Sequence, residues 1–147
     1  MAIEVNLVGT FLLCSIGAAA MSKLPADANG DRGAIITVAS VAGIEGQKGQ
    51  VPYSASKGGV IGMTLPMARD LGRHGIRVLC ICPGIIDTPL MQMAGENVKK
   101  GLLGSVAGPK RFGRPDEFAS LCAEIMRNGY LNGEVLRLDG GIRFSNL

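Results

Sequence analysis

Two short apolar runs, residues 34–39 and 76–82, lie on either side of a long helical pattern over residues 52–73. Both runs are rich in Ile and Val and alternate little with polar residues, which is typical of strands buried on both faces of a sheet. A strand, a long helix and a second strand form one crossover unit with parallel strands. The chain is therefore predicted to have an α/β fold.

The same alternation extends in both directions from this unit. A first helix is predicted over residues 2–24 and ends at Pro25, and a helix over residues 115–128 precedes a third short strand at 134–138. The 147 residues, of which 47% are hydrophobic, suit a single domain over residues 1–147. The expected architecture is about three parallel strands with flanking helices.

Two of these segments carry further expectations. Pro66 lies inside the long helix and should bend it or locally break its hydrogen-bond ladder, because proline has no backbone N–H. Residues 84–114 show little periodicity, and a segment of that length inside a compact domain is commonly functional. We expect it to be mobile and to act as a lid over a site.

Charge and cysteine content argue against two kinds of partner. The 15 basic and 12 acidic residues give a net charge of +3 and form no long run, so we expect no nucleic-acid partner. The cysteines lie in apolar segments without CxxC spacing, in a chain with one histidine, so no metal site is predicted. We interpret the four cysteines as buried thiols of a protein in a reducing compartment; they are Cys14, Cys80, Cys82 and Cys122.

An apolar run near the N-terminus, residues 9–21, ends in a pattern similar to a secretory cleavage site. No basic residues precede it, and Glu4 and Asn6 stand there instead. The run is also short for a membrane span, which needs about 20 residues. We interpret it as a buried amphipathic helix, and we expect a cytoplasmic protein with no membrane partner.

A tyrosine and a lysine, Tyr53 and Lys57, stand four residues apart at the start of the long helix. Such a pair lies on one helix face, so the side chains can interact. A tyrosine with the ordinary pKa of about 10 is a poor base at neutral pH, and a nearby ammonium group favours its phenolate. That phenol can take the proton of an alcohol as hydride leaves the carbon, and can return it in the reverse direction. The alternative is an ordinary first turn of an amphipathic helix.

Further features accompany this pair. Ser40 follows the first strand, Pro83 and Gly84 end the second, Asn6 lies in the first helix, and a DGG sequence occupies residues 139–141. Ligands of parallel sheets bind beyond the carboxyl ends of the strands. Together these residues resemble the short-chain dehydrogenase/reductase family, whose signature contains an Asn, Ser, Tyr and Lys tetrad and a PG motif with a following threonine.

The resemblance runs from residue 5 to about residue 143. Within the family, the segments ASVAGIEGQKGQVPYSASKGGVIGMTLPMARDL and LNGEVLRLDGGIR are most similar to the type-2 3-hydroxyacyl-CoA dehydrogenases, also described as 17β-hydroxysteroid dehydrogenases of the type-10 kind. The resemblance implies the C-terminal part of a doubly wound parallel-sheet Rossmann fold. It also implies NAD-dependent interconversion of a secondary alcohol and a ketone, on a 3-hydroxyacyl-CoA or a hydroxysteroid, in a homo-oligomer that is a tetramer in the family.

The resemblance also implies a role for each matching residue. Tyr53 would be the general acid/base, Ser40 would hold the substrate oxygen, and Lys57 would tune Tyr53 and bind the nicotinamide ribose. Asn6 would hold a water that links Lys57 to solvent, with an ordinary polar residue of a helix surface as the alternative. Gln50 would contact substrate.

A second group of residues would line the nicotinamide and pyrophosphate side of the site: Pro83, Gly84, Ile86 and Thr88. For Thr88 the alternative is a turn residue before a proline. An adaptable apolar wall for an acyl chain or a steroid is expected from Met91, Met93, Leu102 and Leu103, although methionines in an apolar helix are more often core residues.

The family's N-terminal motifs are absent from this sequence: the TGxxxGxG turn, the acidic residue that selects NAD, and the NNAG motif. Glycines at 43, 46 and 49 lie in a loop, and those at 58, 59 and 62 lie in a helix, so neither set forms a strand-to-helix phosphate turn. The sequence is therefore expected to hold the catalytic half without the adenosine and pyrophosphate half. NADP stays an alternative to NAD.

The strand at residues 34–39 would normally pair with a further strand, so an open apolar edge and exposed apolar patches are expected. The helices that begin at Ala2 and Pro52 are those with which the family packs its dimers. We therefore expect an oligomeric or marginally stable chain. Two other functions stay open: a non-catalytic interaction module of the same fold, and a 3-oxoacyl-carrier-protein reductase that uses NADPH.

Overall fold

The computed structural model describes residues 1–144 of the chain. A π-helical turn, Glu4–Val8, continues directly into helix α1, Gly9–Met21, and strand β1 follows at Ala34–Val38. The remaining elements, in chain order, are the 3₁₀ turn Val41–Gly43, α2 (Val51–Gly72), β2 (Arg77–Pro83), α3 (Pro89–Gln92), α4 (Glu96–Gly104), α5 (Pro115–Arg127) and β3 (Val135–Leu138). The three strands and the two long helices after β1 are within two residues of the prediction, whereas the first helix ends three residues early.

The three strands form one parallel sheet in the order β1, β2, β3. Ile36 of β1 is level with Leu79 of β2, and Ile81 of β2 is level with Leu136 of β3. The predicted α/β class is therefore confirmed. Within residues 1–144, β1 pairs only with β2, so its other edge is open, as expected from the sequence.

The core lies on both faces of the central strand β2. Successive side chains of a strand point to opposite faces, so Cys80 and Cys82 pack against α2 while Leu79 and Ile81 pack against Ile125 of α5. These five side chains are completely buried. Helices therefore cover the two faces of the sheet, which is the doubly wound arrangement that the sequence predicted.

The cysteines are all free thiols. Cys14, Cys80 and Cys82 are buried as predicted, but Cys122 on α5 is only half-buried. No group of three potential metal-ligating His, Cys, Asp or Glu side chains occurs in the described part of the chain.

Helix α2 continues without interruption from Val51 to Gly72, so the expected local break at Pro66 is confined to one hydrogen bond of the ladder, and the expected bend stays a prediction. Proline removes one donor from the ladder, the one that would reach the carbonyl of Gly62 four residues earlier. The rest of this long helix packs on β2 and on the 3₁₀ turn, and that packing maintains the helix through the gap.

The segment over residues 84–114 is more regular than predicted, because it contains α3 and α4. Thr88 begins α3: its hydroxyl accepts a hydrogen bond of 3.3 Å from the backbone N–H of Met91, and Pro89 occupies the first turn. Helices of four and nine residues are too short to give a clear periodic signal. The mobility of this segment stays a prediction.

Helix α1 is far more exposed than predicted. Only Cys14 and Ala18 are buried, whereas Leu13 is 72% and Ile16 is 67% exposed. A helix with apolar residues on most of its faces needs apolar contacts on more than one side, and within residues 1–144 the sheet covers only one side. The sequence pattern identified the apolar character correctly, and the prediction that this helix is buried was wrong for the described chain.

The π turn and α1 together form an apolar helix of 18 residues, from Glu4 to Met21, with a mean hydropathy of 1.5. By length and composition alone this helix could cross a membrane, so the argument that the apolar run is too short was wrong. Core helices of soluble proteins have the same composition. The expectation of no membrane partner stays a prediction.

Candidate active site

The Tyr53–Lys57 pair lies on the first turns of α2, beside the carboxyl end of β1. The Lys57 Nζ atom is 5.9 Å from the centre of the Tyr53 ring and donates a hydrogen bond of 3.0 Å to the carbonyl oxygen of Val38. Tyr53 is 37% exposed, so its ring is accessible to a bound molecule. The strand carbonyl thus holds the ammonium group next to the phenol.

Burial lowers the pKa of Lys57 below its usual value, because the ammonium group loses water. The neighbouring thiols of Cys80 and Cys82 act in the opposite direction, since a negative charge on either would favour the ammonium form. The interaction between the Cys80 and Cys82 side chains lowers the pKa of Cys80 and raises that of Cys82, whose burial acts in the same upward direction. The lysine is therefore influenced by two buried thiols of β2, an effect that was not predicted from the sequence.

Ser40 stands directly after β1 and begins the 3₁₀ turn. Its backbone is extended, and its hydroxyl oxygen accepts a hydrogen bond of 3.1 Å from the backbone N–H of Ala42. That bond uses a lone pair of the oxygen, and the hydroxyl hydrogen has no acceptor among residues 1–144. The hydroxyl can therefore donate to the oxygen of a substrate.

Two glycines bring the Ser40 turn close to the helix that carries Tyr53. A Cβ atom on Gly43 would lie 2.9 Å from the backbone nitrogen of Gly58 and from the carbonyl carbon of Lys57. A Cβ atom on Gly46 would overlap the side chain of Ser54. These glycines thus have a packing role, which explains their spacing without a phosphate-binding turn.

Asn6 reaches the site through a serine that the sequence did not single out. Its side-chain amide nitrogen Nδ2 donates a hydrogen bond of 3.1 Å to the hydroxyl oxygen of Ser56. The Ser56 hydroxyl in turn donates a bond of 2.7 Å to the carbonyl oxygen of Tyr53. Asn6 itself lies in the π turn, and its own carbonyl accepts a bond of 2.6 Å from the Thr10 hydroxyl. The structure therefore connects Asn6 to the Tyr53–Lys57 turn.

A cleft with a volume of about 530 Å³ opens beside Tyr53, at the carboxyl end of β2. It is lined by Tyr53, Pro83, Gly84, Ile85, Ile86, Thr88, Leu90, Met91, Pro115 and Phe118. The lining therefore includes all four residues that were predicted to line the nicotinamide and pyrophosphate side of the site, Pro83, Gly84, Ile86 and Thr88. Met91 of the predicted apolar wall is also there, whereas Met93, Leu102 and Leu103 are not.

Gln50 is not in the lining of this cleft. It precedes α2, and its side-chain carbonyl oxygen accepts a hydrogen bond of 3.1 Å from the backbone N–H of Gln47. The side chain thus closes the turn that leads into the helix. Its predicted contact with substrate stays a prediction.

The DGG sequence contacts the PG sequence at Gly84, which is one of the residues that line the cleft. Gly84 donates a backbone hydrogen bond of 2.9 Å to Leu138, and a Cβ atom on Gly84 would lie 2.8 Å from the Cβ atom of Asp139. Asp139 is held by Arg137 at 2.7 Å, and Arg137 also pairs with Glu45 in the loop after Ser40. This ion network connects the end of β3 to the loop that carries the Ser40 turn.

Residues 1–99 match the family model described as short chain dehydrogenase. The chain belongs to this family. The resemblance recognised from the tetrad and the PG motif is therefore confirmed, and the three parallel strands of this short-chain dehydrogenase form part of the family's Rossmann fold.

The curated relatives to which this short-chain dehydrogenase is similar include proteins named as 3-hydroxyacyl-CoA dehydrogenases. It is 52% identical over 141 residues to the 3-hydroxyacyl-CoA dehydrogenase type-2 of Bos taurus, covering 96% of this chain and 54% of the relative. It is 39% identical over 142 residues to the (3R)-3-hydroxyacyl-CoA dehydrogenase of Rattus norvegicus, covering 95% of this chain and 52% of the relative. The chain thus spans about half the length of the curated relatives it matches.

A solved structure gives the same result for the fold. The crystal structure of 3-hydroxyacyl-CoA dehydrogenase type-2 from Mycobacterium avium superposes on this short-chain dehydrogenase with a TM-score of 0.93 at 44% sequence identity. The superposition covers 99% of this chain and 56% of that chain. The predicted similarity to the type-2 3-hydroxyacyl-CoA dehydrogenases is therefore confirmed.

Proposed function

We propose that this chain carries the proton-transfer machinery of an NAD(H)-dependent oxidoreductase that interconverts a secondary alcohol and a ketone. The observation that carries the proposal is the Lys57 ammonium group 5.9 Å from the Tyr53 ring, at the edge of a cleft beyond the carboxyl end of β2. Clefts at that end of a parallel sheet are where such folds bind ligands. The tetrad is Asn6, Ser40, Tyr53 and Lys57.

Each member of the tetrad has a distinct task in reduction of the ketone. The Ser40 hydroxyl donates a hydrogen bond to the carbonyl oxygen and orients it. The Tyr53 hydroxyl then transfers its proton to that oxygen, and the Lys57 ammonium stabilises the phenolate that remains. In the oxidation of an alcohol the same proton returns to Tyr53.

The cleft lining suits the nicotinamide end of a dinucleotide. Pro83 and Ile86 offer apolar contacts for a flat ring, and the backbone around Gly84 together with the Thr88 hydroxyl offers polar groups for a carboxamide or phosphate. When bound, the dinucleotide supplies the hydride acceptor or donor that these side chains lack. We propose NAD in preference to NADP on the similarity to the type-2 relatives.

The proposed substrate class is a 3-hydroxyacyl-CoA with its 3-oxoacyl-CoA, or else a hydroxysteroid. The names of the relatives support the acyl-CoA choice. Leu90, Met91 and Phe118 give the cleft the apolar surface that an acyl chain or a steroid needs. Methionine in particular adapts its shape to different apolar partners.

The test is a fluorescence titration of the purified chain with NADH, with its intact mass verified, followed by turnover of a 3-oxoacyl-CoA. Saturable binding, oxidation of NADH and weaker use of NADPH would support the proposal. A preference for NADPH with an acyl-carrier-protein substrate would replace this proposal with the 3-oxoacyl-carrier-protein reductase. No binding and no turnover by the folded chain would favour a non-catalytic module.

We also propose that the chain self-associates. The exposed apolar residues of α1, among them Phe11, Leu13 and Ile16, are the support for this proposal, because a surface of this kind is commonly covered in the native assembly. Light scattering should give a mass above that of one chain, and Leu13→Glu should lower it. A monomeric wild type would contradict the proposal.

A further inference from the structure

Ser56 is a fully buried serine inside α2, between the two residues of the Tyr53–Lys57 pair. Its hydroxyl makes two hydrogen bonds, accepting from the Asn6 side chain at 3.1 Å and donating to the Tyr53 carbonyl at 2.7 Å. The hydroxyl thus has a partner for its hydrogen and a partner for one lone pair, so its position is specified on two sides.

The bond from Asn6 to Ser56 joins two separate elements. In the described range 1–144 it is the one side-chain hydrogen bond between the first helix and α2, and its partners are 50 residues apart in sequence. One turn further along, the absence of a side chain on Gly59 allows Leu7 to approach: a Cβ atom there would lie 2.6 Å from a Leu7 methyl carbon. The two helices are thus in close contact where the bond forms.

We propose that Ser56 is a positioning residue, which fixes the side chain of Asn6 against the turn that carries Tyr53 and Lys57. This inference rests on the proposed function, in which Asn6 and Lys57 act together. Without the hydroxyl, the Asn6 amide loses its acceptor and the Tyr53 carbonyl loses a side-chain donor. The amide then takes other orientations, because nothing else in the described chain bonds to its nitrogen.

Ser54 provides a matched control two residues earlier on the same helix. Its hydroxyl oxygen is also buried but has no hydrogen-bond partner among residues 1–144. Ser54→Ala therefore removes a buried hydroxyl from the same turn without removing a bond. A difference between Ser56→Ala and Ser54→Ala reports the bonds of Ser56 and not the loss of an oxygen atom.

The first measurement is the hydrogen-exchange rate of the Asn6 side-chain amide by NMR in the wild type and both variants. We expect about tenfold faster exchange in Ser56→Ala, which corresponds to the loss of one hydrogen bond of typical strength. Ser54→Ala should exchange as the wild type does. Equal rates in the two variants would overturn the inference. If Ser56→Ala does not fold, Ser56→Cys, which has a weakly accepting thiol of similar size, gives the same comparison.

The second measurement is steady-state turnover of a 3-oxoacyl-CoA with NADH. For a positioning residue we expect kcat to fall about tenfold or more in Ser56→Ala while KM for the acyl-CoA stays within about twofold. Faster amide exchange with an unchanged kcat would overturn the positioning role. A wild type that neither binds NADH nor turns over would instead refute the proposed function, and the exchange rates alone would then decide whether Ser56 fixes Asn6.

Discussion

The two tyrosines of the chain lie in opposite environments. Tyr53 is beside the Lys57 ammonium group, whereas Tyr130 follows α5 and is completely exposed. Because only Tyr53 can pass a proton to a bound carbonyl, Tyr53→Phe should lower turnover of a 3-oxoacyl-CoA by about 10²- to 10⁴-fold. The measurement is the initial rate of NADH oxidation at saturating substrate.

Tyr130→Phe is the control, since it removes the same hydroxyl from a site with no contact to the cleft. Its rate should equal that of the wild type. The affinity for NADH should change little in Tyr53→Phe, because the ring remains. A Tyr53→Phe variant with a near-normal rate would remove Tyr53 from the role of general acid.

Glu117 has the most strongly lowered pKa of the carboxyl groups for which a shift is seen. The Arg111 guanidinium and the backbone N–H of Arg114 both donate to it and lower its pKa from 4.5 to about 2. A carboxyl group whose pKa is lower in the folded chain than in the unfolded chain stabilises the fold. That stabilisation is complete at pH values above the unfolded-state pKa, and it is lost as the pH falls through the folded-state pKa. Wild type and Glu117→Gln should therefore converge in stability between pH 4.5 and about 2.

The measurement is the thermal midpoint from pH 7 to pH 2, with Asp70→Asn as the control. Asp70 is exposed on α2 and takes part in no ion pair among residues 1–144. Its curve should run parallel to that of the wild type. If Glu117→Gln also ran parallel to the wild type, the carboxylate of Glu117 would not be stabilised by its two donors.

At the scale of elements, the contact of the 3₁₀ turn with α2 depends on Gly43. Its missing Cβ would meet the backbone of Lys57 and Gly58 at 2.9 Å, and backbone atoms have little freedom to move aside. Gly43→Ala should therefore destabilise the fold by about 1–3 kcal/mol. Urea unfolding, followed by circular dichroism, measures this change.

Gly62→Ala is the control, because it makes the same substitution at a position where the new Cβ atom has no close neighbour. No atom lies within 4 Å of a Cβ built at Gly62 in the interior of α2, so the greater helix propensity of alanine should stabilise the chain by up to about 1 kcal/mol. The two variants should thus shift the urea midpoint in opposite directions. A shift in the same direction would mean that the contact at Gly43 is not tight.

Elements with a strong pattern were predictable from the sequence, and those defined by a local contact were not. The strands were found because Ile- and Val-rich runs have few other interpretations, and α2 because its helical pattern is long. The π turn at Glu4–Val8 and the short helix α3 have no such pattern. Ser56 was missed for a related reason, since a serine inside a helix becomes significant only through a partner 50 residues away.

The molecule as a whole is joined by Arg77 at the end of the sheet opposite the cleft. Its buried guanidinium pairs with Asp31 at 3.0 Å and donates to the carbonyl oxygens at the end of α5 and beyond it, including Ile125 at 2.8 Å and Leu131 at 3.2 Å. The last carbonyls of a helix have no partner within the helix. One side chain thus connects β2, α5 and the loop after α1.

Arg77→Met should destabilise the chain by about 3 kcal/mol, because it leaves a partly buried carboxylate and several carbonyls without a donor. Urea unfolding measures the loss, and the exposed Arg69 on α2 provides the control. Arg69→Met should change the free energy of unfolding by less than about 0.5 kcal/mol. Equal effects of the two substitutions would contradict this account of Arg77.

The exposure of α1 illustrates a property of the whole molecule that could not be predicted from the sequence, namely which surface covers an apolar helix. Apolar residues on all sides of α1 correctly indicate a helix that needs contacts, but the sequence does not say which surface supplies them. The open edge of β1 is a similar case: its strand character was predictable, and within residues 1–144 it pairs only with β2. Burial is a property of an assembly, and a single sequence specifies only part of it.

The turn Glu4–Val8 holds one residue more than an α-helical turn, because its hydrogen bonds span five residues in place of four. Each residue rotates a helix by about 100°, so the two ends of the first helix differ in phase by that angle. Asn6 faces Ser56 at one end, while Cys14 and Ala18 are the buried residues at the other. Deleting a single residue between Asn6 and Gly9 would leave the helix apolar yet rotate Asn6 by about 100° relative to Cys14 and Ala18, away from α2. The site therefore depends on the number of residues in this turn as much as on their identity.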